Sequence, residues 1–188
     1  MNKSYPALVL AFVLAAALFA AESPATGPHA GEQKRNISTL TAGDVAELMA
    51  GGGWGLAKPA ELNGYPGPRH VLDLAGELGL DDKQRAAVAA VFASMNAEAR
   101  RAGAAYVEAE HALDQAFRSG RIDGETLAER VAETGRLRDR LRRIHLAAHL
   151  ETAPILTPEQ RHLYQRLRGH QAGQDGGGDR HPHSGGRH

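Results

Sequence analysis

From Asp81 onward, apolar residues recur at Val88, Val91, Met95, Ala99, Ala102, Tyr106, Ala109, Leu113 and Phe117. Every step between them is three or four residues, which is the pattern of one long amphipathic helix. Ser119-Gly120 ends it. Asp123 is placed to cap a second long helix, whose inner stripe reads Leu127, Val131, Thr134, Leu137 or Arg138, Leu141, and Ile144 or His145. Pro154 disfavours continuation, so that helix ends near Thr152. Two long helices joined by a short turn form an antiparallel hairpin. Aromatic residues make up only 5% of the chain, which favours a thin helical assembly over a thick core. The expected fold is all-α: a long antiparallel helical hairpin with short flanking helices.

The flanks follow from local signals. Thr41-Ala-Gly-Asp44 caps a short helix to about Ala50. Residues 51–68 are rich in Gly and Pro and read as loop, with Trp54 and Tyr65 folding back onto a groove. A short helix is expected from Arg69 to about Gly79, and a last one from Pro158 to Arg168. Residues 41–168 thus form the helical domain. Residues 22–40 read as a flexible leader, and 169–188, rich in Gly and His without periodicity, as a disordered tail.

At the N-terminus, Lys3 precedes the apolar run Ala7–Ala21, followed by Glu22-Ser23-Pro24-Ala25. That order is the layout of a secretory signal peptide, residues 1–21, with the cut between 20 and 25. The run falls short of the roughly 20 residues a spanning helix needs. The expected location is the periplasm; a retained N-terminal inner-membrane anchor is the alternative.

Composition excludes several functions. Lys plus Arg and Asp plus Glu balance at 22 each, so net charge gives no case for nucleic acid. With no cysteine, the chain has no disulfide, thiol nucleophile or thiolate metal site. It lacks a phosphate-binding Gly-Lys-[Ser/Thr] loop, a His-Glu-x-x-His pair and a serine elbow. A binding protein is expected, not an enzyme.

The chain's ten histidines are its compositional outlier. His145 and His149 lie four apart, hence on one helix face, a spacing that suits one transition-metal ion. The hairpin turn centres between residues 121 and 122, so facing positions sum to about 243. Position 145 then stands level with Glu98. His70 falls about 6 Å beyond His149 along the axis and reaches it if its helix tilts. The expected site is Glu98, His70, His145 and His149, holding zinc, copper, nickel or cobalt. A His pair on an Arg- and Ala-rich helix also serves as a metal-free core-edge pair. His111 is expected at the surface. In the tail, His181, His183 and His188 offer loose metal binding or simple solubility. Arg136, Arg140 and Arg143 crowd one stretch, either as a surface for clients or partners or as a solvated face.

Two short segments share a pattern: Leu80-Asp-Asp-Lys-Gln84 and Leu156-Thr-Pro-Glu-Gln160. Each reads as a capping box, with Asp81 or Thr157 as cap and Gln84 or Gln160 reaching back. With these motifs the chain resembles the Spy/CpxP family, whose mark is a repeated Leu-Thr-x-x-Gln; Asp81 replaces Thr in the first copy. The resemblance spans about residues 66–168. It implies a bent hairpin that pairs as a homodimer. It also implies one of three tasks: an ATP-independent chaperone for unfolded periplasmic clients, a regulatory partner of a membrane sensor or anti-sigma factor, or a metal-binding stress or resistance protein. In site pattern it is closest to the CnrX-like heavy-metal sensor branch, where Glu98, His145 and His149 match the core pattern, with His149 standing where that branch has a softer thioether ligand. That branch has a His pair four apart where this chain has His70 and Leu74, with Asp73 as a substitute.

Overall fold

The computed structural model describes His29 and residues 32–174. The apolar run Ala7–Ala21 and the tail histidines His181, His183 and His188 lie outside the described residues. Two units separate. In Met1–Gln33, His29 Nδ1 lies 2.9 Å from Glu32 Oε2. Lys34–His188 holds the helical domain.

The two long helices form as the periodicity predicts. We number the helices in chain order: α1 (Ala42–Met49), α2 (Lys58–Leu62), α3 (Pro68–Asp73), α4 (Asp82–Arg118), α5 (Gly124–Thr152) and α6 (Pro158–Gln174). No strand occurs among the described residues, and none of their helices is long and apolar enough to cross a membrane. α4 and α5 are the antiparallel hairpin. Asp81 caps α4 by accepting from Gln84 N at 2.7 Å, and Asp123 caps α5 by accepting from Thr126 N at 2.8 Å. Each satisfies an amide that the first helical turn leaves open.

The two motif glutamines do more than cap. Gln84 Nε2 donates to Gln160 Oε1 at 2.8 Å, and Gln160 Nε2 donates back to Gln84 Oε1 at 3.0 Å. Each carbonyl also accepts from its own cap residue, Asp81 N or Thr157 N, so both lone pairs are used. The repeat therefore ties the start of α4 to the start of α6. Below this clasp lies one apolar cluster, with Val71, Leu78, Val88, Leu156 and Tyr164. A second cluster sits further along the hairpin, with Leu40, Leu48, Leu56, Ala102, Tyr106 and Leu141.

Five expectations need correction. Residues 34–40 are not all leader: Ile37 and Leu40 are buried, Ser38 N donates to Asp114, and Thr39 Oγ1 donates to Glu110 at 2.8 Å. The Gly/Pro loop contains the helix α2, and α3 stops at Asp73, with turns carrying the chain to Gly79 at φ 61°. α6 runs past Arg168 to Gln174. Leu127 and Val131 are exposed, because a helix pair buries only a narrow seam of each member.

α1 crosses α4 at Gly103, where a Cβ would stand 2.3 Å from the carbonyl oxygen of Leu48. Only a residue without a side chain permits that approach. Gly103→Ala is expected to lower unfolding stability by about 1–3 kcal/mol in urea titration. An unchanged midpoint would show that α1 does not dock there.

Candidate metal centre

Along α4, Val88 belongs to the first apolar cluster and Ala102 to the second; along α5 and beyond, Leu156 and Leu141 do the same. The stretch between them is not closed by apolar packing. A cavity of about 950 Å³ opens there, with Phe92, Met95 and Asn96 of α4 on one wall and His145 and His149 of α5 on another. α2 and α3 complete it with Glu61 and His70.

α5 places His145 and His149 one turn apart, both buried. His149 Nδ1 lies 2.7 Å from the Tyr65 carbonyl oxygen. A carbonyl only accepts, so Nδ1 carries a proton and donates, and Nε2 is the nitrogen left for a ligand. A backbone carbonyl in that position is the usual orienting partner of a metal-binding imidazole. The Nε2 edge faces Gly67, where a Cβ would lie 3.1 Å from Nε2 and 3.5 Å from Glu61 Oε2. The missing side chain leaves room between the two. His145 is only 4% exposed, and its Nε2 has no hydrogen-bond partner. Burial, and next the neighbouring His149, hold its pKa below the usual imidazole value, against an opposing backbone hydrogen bond at Gly52. His145 is therefore neutral near pH 7 and presents an open lone pair.

Glu61 is the carboxylate of this site. Its Oε1 accepts from Tyr164 Oη at 2.6 Å and Arg168 Nε at 3.0 Å, and lies 3.3 Å from His70 Nδ1. Burial pushes its pKa up, but the hydrogen bonds from His70, Tyr164 and Arg168 outweigh that and hold it at about 2. Oε2 is buried with no hydrogen-bond partner and stands 3.7 Å from His149 Nδ1. Local sequence explains the position. Pro59 fits the first turn of α2, and Pro68 the first turn of α3. Gly64, at φ 81°, makes the turn that brings the two short helices back onto α5.

Three of the four expected site residues, His70, His145 and His149, thus line one cavity. Glu98 does not join them: it is exposed, and the adjacent Ala99 faces inward instead. The hairpin arithmetic fixes level along the axis, not rotation, and successive helical residues point about 100° apart. Asp73 pairs with Arg69 at 3.1 Å on the surface. Arg136, Arg140 and Arg143 are exposed; Arg136 pairs with Glu133, and Arg143 with Asp139 at 3.3 Å. Trp54 does fold back, donating from Nε1 to Asp44 at 2.8 Å beside the Tyr106 ring. Glu61 was missed within a segment read as loop. The available signal was its standing as the sole carboxylate of residues 51–68, three residues after a Lys-Pro start.

Among the described residues, no group of three or more His, Asp or Glu side chains already converges as metal ligands do. The donor set nonetheless fits a divalent ion. Glu61 Oε2 and His145 Nε2 are the two buried side-chain polar atoms without a hydrogen-bond partner among the described residues, and both residues line this cavity. Leaving such atoms unpaired costs about 1–3 kcal/mol each, which a bound cation would relieve. Imidazole and carboxylate together suit zinc, cobalt, nickel or copper(II).

No curated protein and no solved structure matches the chain. A family model described as heavy-metal resistance matches residues 45–162, from α1 into α6, and so takes in Glu61, His70, His145 and His149. That match covers more than half of the 188 residues, and the chain belongs to the heavy-metal resistance family.

Proposed function

We propose that this protein binds one divalent transition-metal ion through His145, His149 and Glu61, with His70 as a fourth donor, and serves metal stress, resistance or sensing in the periplasm. The observation that carries this reading is the pair of buried atoms without a hydrogen-bond partner, Glu61 Oε2 and His145 Nε2, in residues that line one cavity. When bound, the ion would supply a positive charge to that pair. The chain's own residues orient the donors: the Tyr65 carbonyl fixes the tautomer of His149, and Tyr164 and Arg168 hold Glu61 as the anion. We read the protein as a binding protein and not an enzyme. The Leu-Thr-x-x-Gln pair, clasped through Gln84 and Gln160, favours a Spy/CpxP-like place within the family. Periplasmic location rests on the N-terminal run Ala7–Ala21.

A second reading rests on a different surface. Phe117, Leu127 and Val131 are 56%, 39% and 50% exposed near the hairpin turn, beyond which α5 carries exposed Arg136, Arg140 and Arg143. Apolar and cationic groups together suit an unfolded client, an acidic sensor domain or a second copy of the chain.

Calorimetric titration with zinc tests the first reading. The chain should carry Ser in place of His170, His181, His183 and His188, so that the tail contributes nothing. One saturable site per chain is expected; absence of saturable heat contradicts the reading.

A further inference from the structure

The cavity is much larger than a metal ion needs. A bound water takes about 30 Å³, so an ion with a few waters fills only a small part of about 950 Å³. Cavities of this size with a few convergent polar groups and an apolar wall are those that hold small organic ligands. Here the apolar wall is Phe92 and Met95, and the polar end holds the histidines and Glu61.

The charge around it points the same way. Three cations line the cavity, Lys58, Arg69 and Arg168, against two carboxylates, Glu47 and Glu61. Arg168 is spent on Glu61, and Arg69 pairs with Asp73 at 3.1 Å; Lys58 and Arg69 both stand at the exposed rim, where an ion pair is weak enough to exchange, with the Arg69 guanidinium 5.8 Å from the centre of the Phe92 ring. With Asp73 counted beside Arg69 these charges balance, and a divalent ion added to them leaves an excess of positive charge. The protein supplies at most four donors, and the cavity has space for further ligands on the ion. An anion that binds the metal fills that space, completes the shell and balances the charge.

We infer that the cavity receives its metal as a chelate with a small organic carboxylate, the protein donors holding the ion while Lys58 and Arg69 hold the carboxylate. This rests on the metal reading above and adds the second component of the ligand.

Native mass spectrometry of the full chain, with the four tail histidines replaced by Ser, tests it. The probes are zinc alone, citrate alone, and zinc with citrate. The expected result is a mass of protein plus one zinc plus one citrate in the mixed sample, and no citrate adduct without zinc. Lys58→Ala with Arg69→Ala should lower the ternary fraction about tenfold while the zinc-only adduct stays. A mixed sample showing only protein plus zinc, or only zinc stripped away by citrate, overturns the chelate while leaving the metal site standing. A citrate adduct without zinc, or a ternary fraction indifferent to Lys58 and Arg69, also overturns it. Absence of a zinc adduct in every sample removes both the metal reading and this one.

Discussion

Replacing His145 and His149 together by Ala is expected to weaken zinc binding by the folded domain at least about a hundredfold, the scale of losing two ligands when a single orienting contact alone is worth about 10–100-fold. The two residues do not contribute in the same way. His145 brings a neutral imidazole whose Nε2 has no partner, so its removal deletes a donor and an unpaired buried atom, but it also breaks the backbone hydrogen bond at Gly52. Its loss should leave the fold intact at a cost of about 1 kcal/mol. His149 is also tied to the Tyr65 carbonyl, so its removal leaves that oxygen without its hydrogen bond and should cost about 1 kcal/mol. Circular dichroism separates the two effects: helicity should persist in the double variant while the calorimetric site disappears. Zinc affinity unchanged in a folded double variant would show that the pair is a core-edge structural pair.

The second large effect distinguishes two carboxylates. Glu61→Gln should weaken zinc binding about tenfold or more, while Glu98→Gln should leave it unchanged. Glu61 faces the cavity with an open oxygen; Glu98 faces solvent. Glu61→Gln should also cost stability in a pH-dependent way. The folded carboxyl sits at about 2 against 4.5 for the free group, so the fold favours the charged form. That stabilisation is complete above about pH 4.5 and fades as pH falls toward 2, because the unfolded chain takes up the proton first. A shift of this size corresponds to about 3 kcal/mol at pH 7. Urea titrations of wild type and Glu61→Gln should therefore differ clearly at pH 7 and converge near pH 2–3. A gap that stays constant with pH would assign the loss to packing. Equal zinc affinities for wild type and Glu61→Gln, with a loss in Glu98→Gln, would restore the register-based site.

The parts of this molecule that were legible in the sequence are those with long periodicity. The stripe from Val88 to Phe117 specified α4, and Asp81, Asp123 and Thr157 marked starts that the structure bears out with capping bonds. His145 and His149 were readable as one face because a spacing of four fixes direction within a helix. What lay outside that reach required knowledge of rotation or of short elements. Glu98 was set level with His145 but turned away from it. Glu61 sits on five residues of helix, too few to show a period. Ile37 and Leu40 are two apolar residues in a polar stretch, and only the floor of α4 beneath them explains their burial. The Gln84–Gln160 clasp was hidden for a related reason. Each glutamine already had a local partner in its own capping box, and nothing local announces a second one 76 residues away.

The most direct measurement is a crystal structure of the zinc-loaded chain with anomalous scattering at the zinc edge. The account predicts one strong peak inside the cavity, within about 2.0–2.2 Å of His145 Nε2 and a Glu61 oxygen, with His149 in the same shell. A peak at Glu98 or on the outer surface, or an empty cavity in crystals that hold zinc elsewhere, would contradict it.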